Sequence, residues 1–147
     1  MRFHPVAALS LTLLVPAGSA LHGSHGASQT GMAGVTVTVD ATHPWIDSGL
    51  TVRKGDRLVF HADGQIRWGA RPDQVAGPEG HDAKAGKLGA GGLIGRVGSS
   101  GKPFVVGNTR APIVMTKSGK LFLGINDFVF KDNSGSFTVT ISGSGAP

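Results

Sequence analysis

One loop between two strand-like segments constrains this chain most. Residues 121–125 and 137–141 are short runs of apolar, β-branched and aromatic residues, the types that favour strands. The loop between them, a hairpin-like connection, contains Asp127, Asp132 and Asn133, whose carboxylate and amide oxygens are ligands that calcium prefers. A backbone carbonyl near Val129 or Phe130 would extend the set. The residues alone leave two interpretations open, a calcium site held rigidly by two strands or an ordinary polar turn.

The composition favours many short strands. The chain has 147 residues, of which 24 are glycine and none is cysteine. Valine and threonine alternate over residues 35–39 with the period of a half-buried strand, and no sustained helical pattern follows the N-terminus. We predict one all-β domain over residues 35–142, a β-sandwich or jelly roll, with a frayed tail at 143–147. Within it we predict a bulge at Gly49, a hairpin turn at residues 53–56 and a turn at residues 63–64.

The N-terminus has the pattern of an export signal. Arg2 precedes an apolar run over residues 6–15, and small residues at 18–20 suit a signal peptidase. The run is shorter than the ~20 apolar residues that span a bilayer. We expect a signal peptide at residues 1–20, a flexible Gly/Ser/His linker at 21–34, and a secreted or periplasmic protein without a membrane span.

Charge and motifs argue against two classes of function. The formal net charge is +5, but the lysines and arginines are scattered singly, so nucleic acid is not an expected partner. Neither a Gly-x-Ser-x-Gly elbow nor a His-Glu-x-x-His motif is present, and Glu79 is the only glutamate. We expect no catalytic residues and no enzyme activity, although sequence alone leaves a carboxylate pair for glycoside hydrolysis open. Trp45 is interpreted as a residue of the core or a sheet edge.

Residues 59–141 resemble the PA-IL-type galactophilic lectins of bacteria. The match is carried by Leu-Phe-Leu-Gly-Ile-Asn-Asp at residues 121–127 and Asp-Asn-Ser-Gly-Ser-Phe-Thr-Val at residues 132–139. Trp68-Gly69 and residues 77–80 and 92–98 support it. The resemblance implies a jelly roll of the galactose-binding-domain-like type with one calcium ion at its rim. The implied ligands are the carbonyl of Trp68, the side chains of Asp127, Asp132 and Asn133, and the carbonyl of Val129 or Phe130.

The resemblance also implies a saccharide partner. Five protein oxygens leave room for about two sugar hydroxyls among the ~6–8 ligands that calcium accepts. The sugar, galactose-like or another hexose, would meet His81, Asp127, Phe128 and Asp132. His81 stands earlier in its loop than the lectin histidine that contacts the sugar. An oligomer is possible.

The predicted metal loop departs from those lectins. It is shorter, and it has Phe128-Val129-Phe130 where the lectins have Pro, Gly and Thr. Asp132 replaces an asparagine and adds negative charge, which favours a cation. We therefore predict a calcium-dependent carbohydrate-binding domain. The alternative is a calcium-stabilised sandwich that mediates structural or protein contacts without binding sugar.

Overall fold

The computed structural model describes residues 31–84 and 87–144, and the regular elements of these residues are all β-strands. The predicted signal peptide at residues 1–20 and residues 21–30 of the predicted linker lie outside the described residues. Within the described ranges, no helix is long and apolar enough to cross a membrane.

Two antiparallel sheets contain the nine strands of the described residues. These are β1 (Gly31–Asp40), β2 (Ile46–Val52), β3 (Arg57–Arg67), β4 (Val75–Ala76), β5 (Leu93–Val97), β6 (Phe104–Val105), β7 (Ile113–Val114), β8 (Gly119–Ile125) and β9 (Ser134–Ser144). The first sheet has the order β1-β9-β3-β4, with β7 also paired to β3. The second has the order β2-β8-β5-β6.

The inner faces of both sheets supply one apolar core. Alternate residues of β9, namely Phe137, Val139 and Ile141, are buried, as the two-residue period of a strand requires. β8 contributes Leu121 and Leu123 from the other sheet. Each fully buried side chain of this size contributes roughly 1.5–3 kcal/mol relative to its exposed state. The prediction of an all-β sandwich is confirmed.

The turn at residues 53–56 does not close a hairpin. The N–H of Asp56 donates to the carbonyl of Arg53 at 3.0 Å, so the tight turn itself is present. However, β2 pairs with β8 whereas β3 pairs with β9. The turn therefore carries the chain from one sheet to the other. The hairpin prediction is wrong because both strands find their partners in the distant C-terminal part of the chain.

Strand β3 continues through residues 63–64, where a turn was predicted. Gly64 has a φ of 111°, and a Cβ there would lie 2.6 Å from the carbonyl oxygen of Ser136 in β9. The glycine thus allows a bend and a close approach of two backbones inside the sheet. The predicted bulge at Gly49 is confirmed, since the β2–β8 register shifts between Asp47 and Thr51.

The folded domain extends beyond both of its predicted edges. β1 begins at Gly31 and β9 ends at Ser144, and these two residues pair with each other. Residues 31–34, predicted as linker, and residues 143–144, predicted as tail, therefore belong to the sheet. Pairing between strands places these residues in the sheet, and Met32 also packs against the core.

Candidate functional site

The loop at residues 126–133, here called the site loop, crosses from one sheet to the other. It leaves β8 in the second sheet and enters β9 in the first, so the predicted hairpin-like connection is wrong. Its first residue is fixed by two backbone hydrogen bonds. The N–H of Gly91 donates to the carbonyl of Asn126 at 2.9 Å, and the N–H of Asn126 donates to Gly92 at 2.8 Å. The loop therefore starts from a well-anchored position.

Asp127 and Asn133 meet across the site loop. Asp127 Oδ1 accepts the N–H of Phe128 at 2.7 Å and, over a longer distance of 3.4 Å, the N–H of Val129. Asp127 Oδ2 accepts a bond of 2.8 Å from Asn133 Nδ2. The same amide nitrogen donates to the carbonyl of Ala41 at 3.1 Å. One carboxylate thus shapes the beginning of the loop and ties it to the end.

The side-chain oxygen of Asn133 is free to accept a hydrogen bond or to bind a cation. Asn133 is only 6% exposed, and its Oδ1 is buried with no hydrogen-bond partner among the described residues. Leaving a buried acceptor unpaired costs about 1–3 kcal/mol. A bound cation or an ordered water molecule would satisfy this oxygen. The observation fits the predicted role of Asn133 as a ligand.

The strand register brings Trp68 to the same place. Arg67 in β3 pairs with Ser134 in β9 as the last pair of this antiparallel ladder, so Trp68 and Asn133 each adjoin that pair in the chain. The N–H of Trp68 donates to the carbonyl of Gln74 at 3.0 Å. Its ring packs on Gly91, where a Cβ would lie 2.9 Å from Trp68 Cδ1. Trp68 and Asn133 therefore adjoin the same end of the β3–β9 ladder, and Asn133 is bonded to Asp127.

The other predicted ligands are less tightly grouped. Asp132 and Val129 are exposed, and the carbonyl of Phe130 accepts the N–H of Asn133 at 3.3 Å. Within residues 31–84 and 87–144, no cluster of three or more His, Asp or Glu side chains could hold a metal ion. A site here would depend on two carboxylates, one amide and main-chain carbonyls. That all-oxygen donor set fits calcium and not zinc.

His81 contacts Trp68. The two ring centroids are 5.7 Å apart, and the ring planes are inclined by 47°. The N–H of His81 donates to the carbonyl of Ala90 at 2.8 Å, and His81 Nε2 lies 3.3 Å from Asp82 Oδ2. The segment that His81 bonds to also reaches the site loop, since the N–H of Gly91 donates to the carbonyl of Asn126.

A groove of about 450 Å³ lies beside Asp127. We call it the aromatic groove, because its lining includes Trp45, Phe104, Phe128 and Phe130. Phe128 is 95% exposed, whereas Phe130 is partly buried against the core. The Trp45 ring also holds the guanidinium of Arg96, whose Cζ lies 4.2 Å from the ring centroid. Its position fits the predicted edge-packing role and also adds Trp45 to the wall of the groove.

Sequence analysis did not place Trp45 or Phe104 in a functional site. Trp45 directly precedes β2, Phe104 opens β6, and Asp127 follows β8. These three residues line the same groove only because β2, β8, β5 and β6 are neighbours in one sheet. The local sequence around each aromatic residue carries no sign of that meeting.

The turn at residues 40–42 also supports the site loop, because it positions the carbonyl that Asn133 bonds to. Asp40 Oδ1 accepts the Thr42 hydroxyl at 2.7 Å and the Thr42 N–H at 2.8 Å. These bonds, the hydroxyl bond first, lower the pKa of Asp40 from its ordinary value of 3.8. The turn fixes Ala41, whose N–H donates to Gly135 at 3.0 Å. The carbonyl of Ala41 is therefore well placed to receive the amide of Asn133.

Comparison with known proteins identifies a fold relative. No protein-family model and no curated protein matches the chain. Among solved structures, the chain is similar to the N-terminal domain of EclA, described as a PllA-like lectin, with 25% sequence identity and a TM-score of 0.64. The match covers 74% of this chain and 94% of that one. This similarity does not establish the narrower PA-IL type, but it shows that the chain has a lectin-like β-sandwich fold.

Proposed function

We propose that this protein is a calcium-dependent carbohydrate-binding domain, in which calcium at the site loop bridges the protein to a saccharide. The observation that carries the proposal is that Asp127 belongs both to a pair of oxygen-bearing side chains and to the aromatic groove. It accepts a hydrogen bond from Asn133, and it lines the groove. The fold relative, described as a lectin, supports the same conclusion.

The residues proposed to hold calcium are those predicted from the sequence. Asn133 Oδ1 is buried without a partner among the described residues. The Asp127 carboxylate accepts three hydrogen bonds, which leaves about one of its roughly four lone-pair sites free. Bound calcium would supply the positive charge that takes sugar hydroxyls as ligands. The proposed ligands are the carbonyl of Trp68, the side chains of Asp127, Asp132 and Asn133, and the carbonyl of Val129 or Phe130.

The aromatic groove is proposed to receive the apolar face of the sugar. Ligand sites are typically concave and mostly apolar, with a few polar groups that fix orientation. The exposed ring of Phe128 stands beside Asp127 in the chain, so a hydroxyl pair near the carboxylate would bring ring C–H groups towards it. His81, which contacts Trp68, is the proposed additional polar contact.

The proposal also includes export and a purely binding role. The pattern of residues 1–20 supports export. Of the described residues that line the groove, Asp127 alone is titratable. Glycoside hydrolysis generally requires a pair of carboxyl groups about the bond that breaks. A binding function therefore suits this groove better than hydrolysis does.

A glycan array tests the proposal when it is run with calcium, with a chelator and with Asp127→Asn. Signals that require calcium and disappear in the variant would support it. If the chelator lowers the melting temperature while the array stays blank, calcium has a structural role and the alternative without sugar binding is correct. If calcium changes neither the array nor the melting temperature, both ideas fail.

A further inference from the structure

We propose that the saccharide ligand carries an acidic unit, which binds in a second cleft next to the aromatic groove. This inference rests on the proposed function and specifies its substrate class. The second cleft has a volume of about 340 Å³ and is lined in part by Lys84, Lys87, Asn108 and Thr109. We call it the lysine cleft. Its lining residues include none of the predicted calcium ligands and none of the predicted sugar contacts.

The two depressions are adjacent and share two lining residues. Leu88 and Val105 line both the aromatic groove and the lysine cleft. Val105 is 54% exposed, so a ligand passing between the two depressions would cover an apolar side chain that now faces solvent. Each depression lies within the roughly 300–1,000 Å³ of ordinary ligand pockets. A ligand anchored near Asp127 would therefore need more than one sugar unit to fill both.

The charge of the lysine cleft selects an anion. Lys84 and Lys87 face each other across an antiparallel bridge, in which the N–H of Lys87 donates to the carbonyl of Lys84 at 2.8 Å. Both side chains are exposed, and neither ammonium group takes part in an ion pair within the described ranges. Like charges placed opposite each other repel, and an anion between them would relieve that repulsion.

Three other polar residues of the lysine cleft affect its preference for an anion. Glu79 lines the same cleft and carries the opposite charge, so the two lysines leave a net positive charge. Asn108 and Thr109 offer neutral hydrogen-bond donors beside them. A lysine ammonium acts as a compact point charge and does not require the planar geometry that arginine matches. The shared feature of the ligand is therefore an anionic group, which a carboxylate, sulfate or phosphate substituent would provide.

The test uses glycans with the same terminal hexose and linkage, whose second unit is neutral, carboxylated, sulfated or phosphorylated. Dissociation constants are measured by calorimetry in calcium. We expect the anionic glycans to bind about three- to tenfold more tightly, as one or two exposed ion pairs would produce. The preference should shrink at higher salt, because exposed charges are screened.

Two double variants test whether the preference for anionic glycans depends on Lys84 and Lys87. Lys84→Gln/Lys87→Gln should remove it and leave the affinity for the neutral glycan unchanged. The matched control is Lys54→Gln/Lys117→Gln, which changes the net charge equally. Lys54 donates its N–H to Ser118 Oγ at 2.9 Å, next to the start of β8, whereas the site loop follows the end of that strand. The control should keep the preference.

Glu79→Gln should act in the opposite direction and increase the preference for anionic glycans. Equal affinity for neutral and anionic glycans in calcium would overturn the inference and leave the proposed function standing. The inference also fails if the control pair loses the preference as fully as the cleft pair, or if anionic glycans bind equally well in chelator. Absence of binding by every glycan would overturn the proposed function and this inference with it.

Discussion

Asn133 Nδ2 donates to Asp127 Oδ2 across 2.8 Å and thereby joins the two ends of the site loop. The same nitrogen reaches the carbonyl of Ala41, in the turn after β1, at 3.1 Å. One buried amide thus connects the start of the site loop to the turn after β1. Its own oxygen is then the buried acceptor without a partner in the described structure. The bond that shapes the loop also prepares an oxygen for a cation.

Asn133→Ala should lower the stability of the metal-free protein by about 1–3 kcal/mol, because it leaves two acceptors unpaired near the core. Urea unfolding in chelator measures this effect. Asn108→Ala is the control, since Asn108 is exposed and its loss should change the free energy of unfolding by less than ~0.5 kcal/mol. Equal midpoints and slopes for Asn133→Ala and the parent would contradict the role given to this amide.

Asp127→Asn should remove the stabilisation that calcium provides. For the parent, calcium at about 100 times its dissociation constant should add ~2.7 kcal/mol to the free energy of unfolding. The variant lacks the negative charge, so the difference between calcium and chelator should be near zero. Taking that difference cancels any change in the metal-free fold. Asp63→Asn, at an exposed position within β3, should keep the full calcium effect.

Local sequence was sufficient to predict most of the strands but not their partners. The alternation of β1 and the buried face of β9 follow from the two-residue period of strands. The turns after β2 and after β8 look like hairpin turns, yet each crosses between sheets. Partner choice is decided by which distant strands bury apolar faces together. In the fold, β9 lies between β1 and β3, a placement that no short segment encodes.

The candidate site was predictable to the extent that its residues are close in the chain. Asp127 and Asn133 belong to one loop, and their side-chain chemistry made a cation site one of two open interpretations. Trp68 entered only through a resemblance, since the β3–β9 ladder whose end adjoins both Trp68 and Asn133 is a property of the sheet. Trp45 was missed as part of a groove wall because a partly buried tryptophan is more often explained by packing.

Phe128→Ser should weaken saccharide binding without weakening the fold. The ring is 95% exposed, so its loss should change the free energy of unfolding by less than ~0.5 kcal/mol. The affinity for the best array ligand should fall about three- to tenfold, since aromatic contacts are worth about 0.5–1.5 kcal/mol. Val114→Ser is the control, because Val114 is exposed in β7, which pairs with the opposite end of β3 from Trp68. Equal affinities in the two variants would remove Phe128 from the site.

Thr42→Ala should raise the pKa of Asp40 towards 3.8, because it removes the hydroxyl bond that lowers this pKa most. In the parent the folded-state pKa lies below the unfolded value. The ionised carboxylate therefore stabilises the fold above pH ~3.8, and this contribution is lost as the pH falls through the lowered pKa.

Carbon-detected NMR titration of the Asp40 carboxyl measures the shift directly. The melting-temperature difference between parent and variant should be present at pH 6 and should shrink on acidification below about pH 4. An Asp40 pKa that is the same in both proteins would show that Thr42 does not hold this turn, and the support given to Ala41 and Asn133 would need another source.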